Sequence, residues 1–227
     1  MTEGPRGGIR EFYHEYLPIS DCIAEMFYAA WMAVIVLGIL NVTEHQEELI
    51  PVAIALAFGV NITWGLIDGL TVMLSKAIDR AKSEKIIYDL RTKNDRLTRQ
   101  AAHGALEGTI ASVLSEEEKD RIIEGIASGA PGSDPHRKRY SPQRADWYYA
   151  LGILGIDVFL VIPIIAPLLI ISRIPFAIYA SRLIATIMFA ILGAVYAKNL
   201  NRNRWLAALF LGTLGFCVFS LAYFFAW

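Results

Sequence analysis

The sequence predicts an all-α integral membrane protein, with five transmembrane helices and a small helical cytoplasmic insert between the second and third. Three observations carry that expectation. Of the 227 residues, 55% are apolar, and the mean hydropathy is positive at +0.43. The apolar residues come in long blocks, not at the spacing of an amphipathic helix. Five blocks reach the roughly 20 residues needed to cross a hydrocarbon core of about 30 Å.

The blocks lie at 22–41, 50–75, 147–171, 176–197 and 205–227. They divide the chain into the N-terminal segment with spans one and two (1–76), the insert and its linker (77–143), and spans three to five (144–227). The first block sits behind a charged stretch, is longer than the apolar core of a secretory signal, and lacks a small-x-small cleavage site. It therefore reads as a span and not a leader.

Orientation follows from the basic residues. The loop after the first span carries Glu44, Glu47 and Glu48 but no Lys or Arg. Most of the basic residues fall between Lys76 and Arg144, and Lys198, Arg202 and Arg204 occupy the last turn. Only Arg173 and Arg182 fall on the other side. The positive-inside rule then predicts a cytoplasmic N-terminus, insert and last turn, with the C-terminus outside, in the cell inner membrane. Trp147 and Trp205 stand where an interfacial aromatic belt belongs.

A formal net charge of −1 gives no electrostatic footprint for a nucleic-acid partner, so lipid is the expected surrounding. Cys22 and Cys217 are too few and too far apart for a disulfide framework or a zinc site, and read as packing residues.

Within the insert, residues 76–101 contain no Gly or Pro and mix charges at helical spacing, which predicts that the second span continues as a helix into water. Leu106, Ile110, Val113 and Leu114 make a short amphipathic set. Ser115 and Glu118 form a capping-box pattern that opens a further helix, ending near Ala127. Residues 129–142, rich in Gly and Pro, read as a flexible return linker. His103 and Glu107 share a helix face near Glu116, Glu117, Glu118, Asp120 and Glu124. Carboxylates suit hard divalent cations, while a solvated acidic helix start favoured by the helix dipole accounts for the same residues.

Ionisable residues inside the spans carry the functional expectation. A charge at the centre of a span costs about 2.5–3.5 kcal/mol on insertion scales, so each such residue needs a reason. Glu25, Asp68, Asp157 and Arg182 qualify. On the first span Asp21, Glu25, Tyr28 and Met32 fall on one stripe; on the second, Asn61, Trp64, Asp68, Thr71 and Ser75 make another. Gly65 and Gly69 flank Asp68 in a small-xxx-small pattern that admits a neighbouring helix. By helix rise, Glu25 lies near the cytoplasmic surface, Asp68 about 10 Å in and Asp157 about 15 Å in.

Such a graded series of carboxylates suits a cation path, because each site replaces part of a lost hydration shell. Met32 and Met73 offer soft ligands that favour transition metals. The bland readings are an interfacial Glu25, a structural ion pair between Asp157 and Arg182, and methionines that only pack. Pro163 and Pro167 in the third span free backbone carbonyls, compatible with either a kink or an ion-lining role.

NITWGLIDGL at 61–70, RADWYYALG at 144–152, VIPIIAP at 161–167 and, more weakly, AEMFYAAWM at 24–32 give the chain a resemblance to the vacuolar iron transporter family, in particular its small prokaryotic relatives. The better-known members carry Asp-Gly in the first span and a Met and a Gly-Glu pair in the second. Here Glu25, Met26 and Met32 are in the first span and Asp68-Gly69 in the second. The resemblance implies a homodimer that carries Fe²⁺ or Mn²⁺ out of the cytoplasm in exchange for protons, with no tightly bound cofactor. It also implies that Asp68 is the carboxylate of the Asp-Gly motif and that the insert is a metal-binding domain.

The expected function is divalent transition-metal transport through Glu25, Met32, Asn61, Asp68 and Asp157, with Asp68, Glu25 and Met32 as membrane ligands and His103 and Glu107 as weaker ones in the insert. The rival is a non-transporting assembly or regulatory subunit that binds a partner through its cytoplasmic helices. A membrane-embedded enzyme is disfavoured, because there is no nucleophile–base pair and all four histidines lie outside the spans.

Overall fold

Apolar blocks without internal breakers fold as helices, since a helix satisfies every backbone group within its own segment. In the computed structural model, residues 16–38, 40, 46–130, 132, 135 and 140–224 are described, and they contain helices and no strand. The long elements are α1 (Ile19–Gly38), α2 (Gln46–Thr92), α5 (Arg144–Ile170), α6 (Ile174–Asn199) and α7 (Arg204–Phe224). Between α2 and α5 lie α3 (Arg96–Glu107), a 3₁₀ turn (Ile110–Val113) and α4 (Glu116–Ala127).

Four helices, α1, α2, α5 and α6, are long and apolar enough to cross a membrane; α7 is a fifth apolar helix. The chain forms two units, Met1–Thr71 with Trp147–Trp227, and Val72–Asp146.

The first unit has the polarity of a membrane bundle. Its core uses small and medium residues: Ala30, Ala33 and Val34 of α1, Ala53 and Ala57 of α2, Val161, Ile164 and Ile165 of α5, and Ala177 and Ala185 of α6. Large apolar side chains such as Leu66, Phe159, Leu183 and Phe210 face outward. In water that arrangement would expose a large apolar surface; against lipid it costs little, and small residues let backbones approach. Phe189 of α6 anchors the core, with the Trp31 ring edge-on at 5.3 Å and Phe27 at 6.0 Å. α6 and α7 approach closely at Gly193, where an added Cβ would sit 2.6 Å from the Ala207 carbonyl oxygen.

Helix α5 continues through Pro163 and Pro167 to Ile170. Ile164 and Ile165, between the prolines, are fully buried. The helix thus survives two missing donors where its neighbours pack against it, as membrane helices do.

In the second unit two expectations are corrected, the first being the length of the helix. The helix that leaves the first unit stops at Thr92 and does not run to 101. Asn94 adopts a left-handed backbone with φ 46°, a conformation that asparagine tolerates. Asp95 then starts a new helix, its Oδ1 accepting from the Thr98 backbone N–H at 2.8 Å and the Thr98 hydroxyl at 2.6 Å. Those hydrogen bonds hold the Asp95 carboxyl below its ordinary value. A break made by Asn-Asp needs no Gly or Pro, so a search for those two residues passes over it.

The capping box at Ser115 and Glu118 is present in both directions and opens α4. Leu90, Ala102 and Ile123 form a small core, and Arg91 donates to the carbonyls of Ile126 and Ala130 at the end of α4. The amphipathic set is corrected in part: Leu106 and Leu114 are half-buried, but Ile110 and Val113 are 92% and 84% exposed. Residues three apart eclipse in a 3₁₀ turn, and this turn, capped by Thr109, presents both to the outside. Half of the linker at 129–142 lies outside the described residues. At its end, Arg80 holds Asp146 through two hydrogen bonds of 2.6 and 3.1 Å, and the Tyr140 hydroxyl donates to Glu84.

Candidate ion site within the apolar helices

The site is built from α1, α2 and α5, all within the first unit. Glu25 stands one turn beyond Asp21 on α1, Asp68 midway along α2, and Asp157 midway along α5. α2 and α5 run antiparallel, since Gly65 meets Leu154 and Asp157 while Gly69, one turn on, meets Ala150. The acid groups of the three helices thus lie near enough to act on one another although they are far apart in sequence.

Glycines set the spacing. A Cβ at Gly65 would lie 2.6 Å from Oδ2 of Asp157 and 3.0 Å from the Cα of Leu154. One turn on, a Cβ at Gly69 would lie 3.0 Å from both the Cα and the carbonyl oxygen of Ala150. The small-xxx-small face of α2 is thus occupied by α5, and the approach seats the Asp157 carboxylate on the α2 backbone, one turn from Asp68.

Glu25 is 6% exposed and Asp157 is fully buried. Asp157 and Asp68 are both near enough for their charges to act on Glu25. Oε2 of Glu25 and both oxygens of Asp157 are buried with no hydrogen-bond partner. Among the described residues no Lys, Arg or His forms a salt bridge with Asp21, Glu25, Asp68 or Asp157. Neighbouring carboxylates repel when all are charged, which favours a proton or a cation among them. Buried oxygens without a donor carry the full desolvation cost until something supplies one.

Several expected residues stand elsewhere. The α2 stripe does not face one way: Asn61 is buried and Asp68 half-buried, while Trp64, Thr71 and Ser75 are exposed. Trp64 instead meets Tyr28 of α1, ring centres 6.0 Å apart, on the outer surface. Asn61 is fully buried, its Nδ2 donating to the Ala57 carbonyl at 2.8 Å and its Oδ1 unpartnered. Met32 is half-buried and Met73 buried. The Asp157–Arg182 pair is not formed through a hydrogen bond to Asp157, and the Arg182 guanidinium lies 5.7 Å from the centre of the Tyr179 ring. Glu25 is buried within the first unit.

The insert residues form a seam between α3 and α4. Arg99 pairs with Glu124 at 3.1 Å, His103 with Asp120 at 2.8 Å, and Glu107 with Lys119, which also contacts Glu116. Successive turns of two antiparallel helices are joined in this way, so His103 and Glu107 each have a partner on α4. The two glutamates hold the nearly buried Lys119 amine above its ordinary value. Among the described residues no three His, Cys, Asp or Glu side chains are arranged to hold a metal ion.

Sequence reasoning missed one participant. The Tyr149 hydroxyl donates to Oδ2 of Asp21 at 2.7 Å. Tyr148 and Tyr149 open a span beside Trp147, so the sequence offered only the signal of an aromatic belt. Against known proteins, the chain matches no family model, no curated protein and no solved structure.

Proposed function

We propose that the chain transports a divalent transition-metal cation, Fe²⁺ or Mn²⁺, out of the cytoplasm in exchange for protons. The observation that supports this most strongly is the gathering of Glu25, Asp68 and Asp157 from three apolar helices, with no salt-bridging base among the described residues. A structural role would be served by neutral side chains at lower cost, so buried acids of this kind favour a mobile positive partner.

The exchange needs little machinery. A carboxylate must lose its proton to bind a metal, and regains one when the metal leaves. The Glu25–Asp68 pair would alternate between a shared proton and a shared cation. Asp157, seated against Gly65, would supply the next oxygens along the path. Three carboxylates at graded depth give several moderate sites instead of one deep trap. The proposal includes α7 as a fifth span, the N-terminus in the cytoplasm, residence in the inner membrane and a homodimer, in keeping with the basic-residue distribution and the resemblance to vacuolar iron transporters.

Binding tests the proposal directly. Mn²⁺ added to the purified protein in detergent at neutral pH should raise the melting temperature in a saturable way, and Glu25→Gln or Asp68→Asn should abolish the rise. Equal stabilisation of wild type and both variants would remove the membrane carboxylates from the site.

A further inference from the structure

Three contacts lash residues 16–21, which lead into α1, across the start of α5. The Tyr16 ring lies 5.0 Å from that of Tyr148. Leu17, 4% exposed, packs on Gly152, where an added Cβ would meet its Cδ1 at 2.5 Å. Asp21 receives the Tyr149 hydroxyl at 2.7 Å on one oxygen and the Ser20 hydroxyl at 3.0 Å on the other. The three α5 partners, at 148, 149 and 152, share one helix face, and Tyr149 is itself buried.

Position gives these contacts their meaning. α1 and α5 both begin at this end. Glu25 lies one turn, about 6 Å, further along α1 than Asp21, and Asp157 lies about 12 Å further along α5 than Tyr149. The Asp21–Tyr149 rung is therefore the outermost member of the carboxylate row, and unlike Glu25 or Asp157 its carboxylate has a donor on each oxygen. Glu25, directly beyond it, is sealed from solvent.

We propose that residues 16–21 are a gate over this end of the carboxylate row, latched by the Tyr149 hydroxyl on Asp21. Leu17 in the Gly152 notch is the apolar plug, and the tyrosine pair holds the strap against α5. Opening exchanges the hydroxyl on Asp21 for water or an arriving cation, so Asp21 is the first acid an ion meets. The row as a cation path rests on the proposed function; the strap as an access barrier does not.

Carboxyl labelling separates the two. The full-length protein in nanodiscs is treated with a water-soluble carbodiimide and glycine ethyl ester, and modification of Glu25 is followed by mass spectrometry. Glu25 should label slowly in wild type. Tyr149→Phe, which removes only the hydroxyl, should speed labelling about tenfold, the order expected for loss of one hydrogen bond to a charged group. Leu17→Ala should do the same without touching α5, while Leu209→Ala on the outer face of α7 should leave the rate at the wild-type value. Fast labelling in wild type, or no acceleration in either strap variant, would overturn the gate. Accelerated labelling in a protein that neither binds nor moves metal would keep the gate and discard the transport reading.

Discussion

The exchange of a side chain for space is clearest at Gly65. Its missing Cβ is what allows Asp157 to lie against α2, and the limit is set by the rigid Cα of Leu154 at 3.0 Å as well as by the carboxylate. Gly65→Ala should force the helices apart and destabilise the bundle by about 1–3 kcal/mol, the usual cost of overpacking, seen as a lower melting temperature in detergent. Gly59→Ala is the control, since nothing lies within 4 Å of that position, and it should melt at the wild-type temperature or slightly above it. The glycine pattern around Asp68 was legible because spacing alone carries it. Which helix fills the groove was not, because α5 enters only through the tertiary fold. Nor was the Tyr149–Asp21 contact legible, since its partners are 128 residues apart and neither carries a motif.

At the scale of elements, the helices were readable and their punctuation only partly so. Ser115 and Glu118 declare α4 through a reciprocal pair of hydrogen bonds three residues apart, a pattern visible in any sequence. The break before α3 rests on the left-handed Asn94 and the Asp95 cap, inside a stretch whose propensities are all helical. Two apolar residues of the 3₁₀ turn were expected to pack and do not, because periodicity does not tell an α turn from a 3₁₀ turn.

Ser115→Ala should cost about 1 kcal/mol of α4 stability. The cap also has a pH signature. Hydrogen bonds from Ser115 hold the Glu118 carboxyl below its ordinary value, and Thr98 does the same for Asp95. A depressed acid stabilises the fold fully above its unfolded value, roughly 4.3 for Glu and 3.9 for Asp, and that contribution fades as pH falls through the lower folded value. Helicity of the whole protein followed by circular dichroism should thus hold from pH 7 to about 5 and decline below about 4. In Ser115→Ala the part of that decline due to Glu118 should shrink, because the hydroxyl is lost while the Ser115 backbone N–H still donates to Glu118. An identical acid profile in the variant would show that the cap does not set it.

For the whole molecule, hydropathy alone gave the class. Residues 22–41, 50–75, 147–171 and 176–197 fall within or against four long apolar helices, whose large side chains face outward. The length of α2 was partly legible, since the absence of breakers after residue 75 extends it well beyond a membrane's thickness, to Thr92. What hydropathy does not give is which acids meet. That depends on helix rotation, as the divided α2 stripe demonstrates: Asn61 is buried and Asp68 half-buried while Trp64, Thr71 and Ser75 face out.

The central claim is that the buried acids exchange a metal for protons, and flux across a sealed bilayer tests it most directly. Proteoliposomes carrying wild type, Asp68→Asn or Asp157→Asn would be presented with Fe²⁺, Mn²⁺, Co²⁺ or Zn²⁺ while internal metal and internal pH are recorded together. The account predicts Fe²⁺ or Mn²⁺ entry with simultaneous proton exit in wild type, and loss of both signals in Asp68→Asn. Metal flux unchanged in Asp68→Asn, or no flux in wild type under any proton gradient, would contradict it.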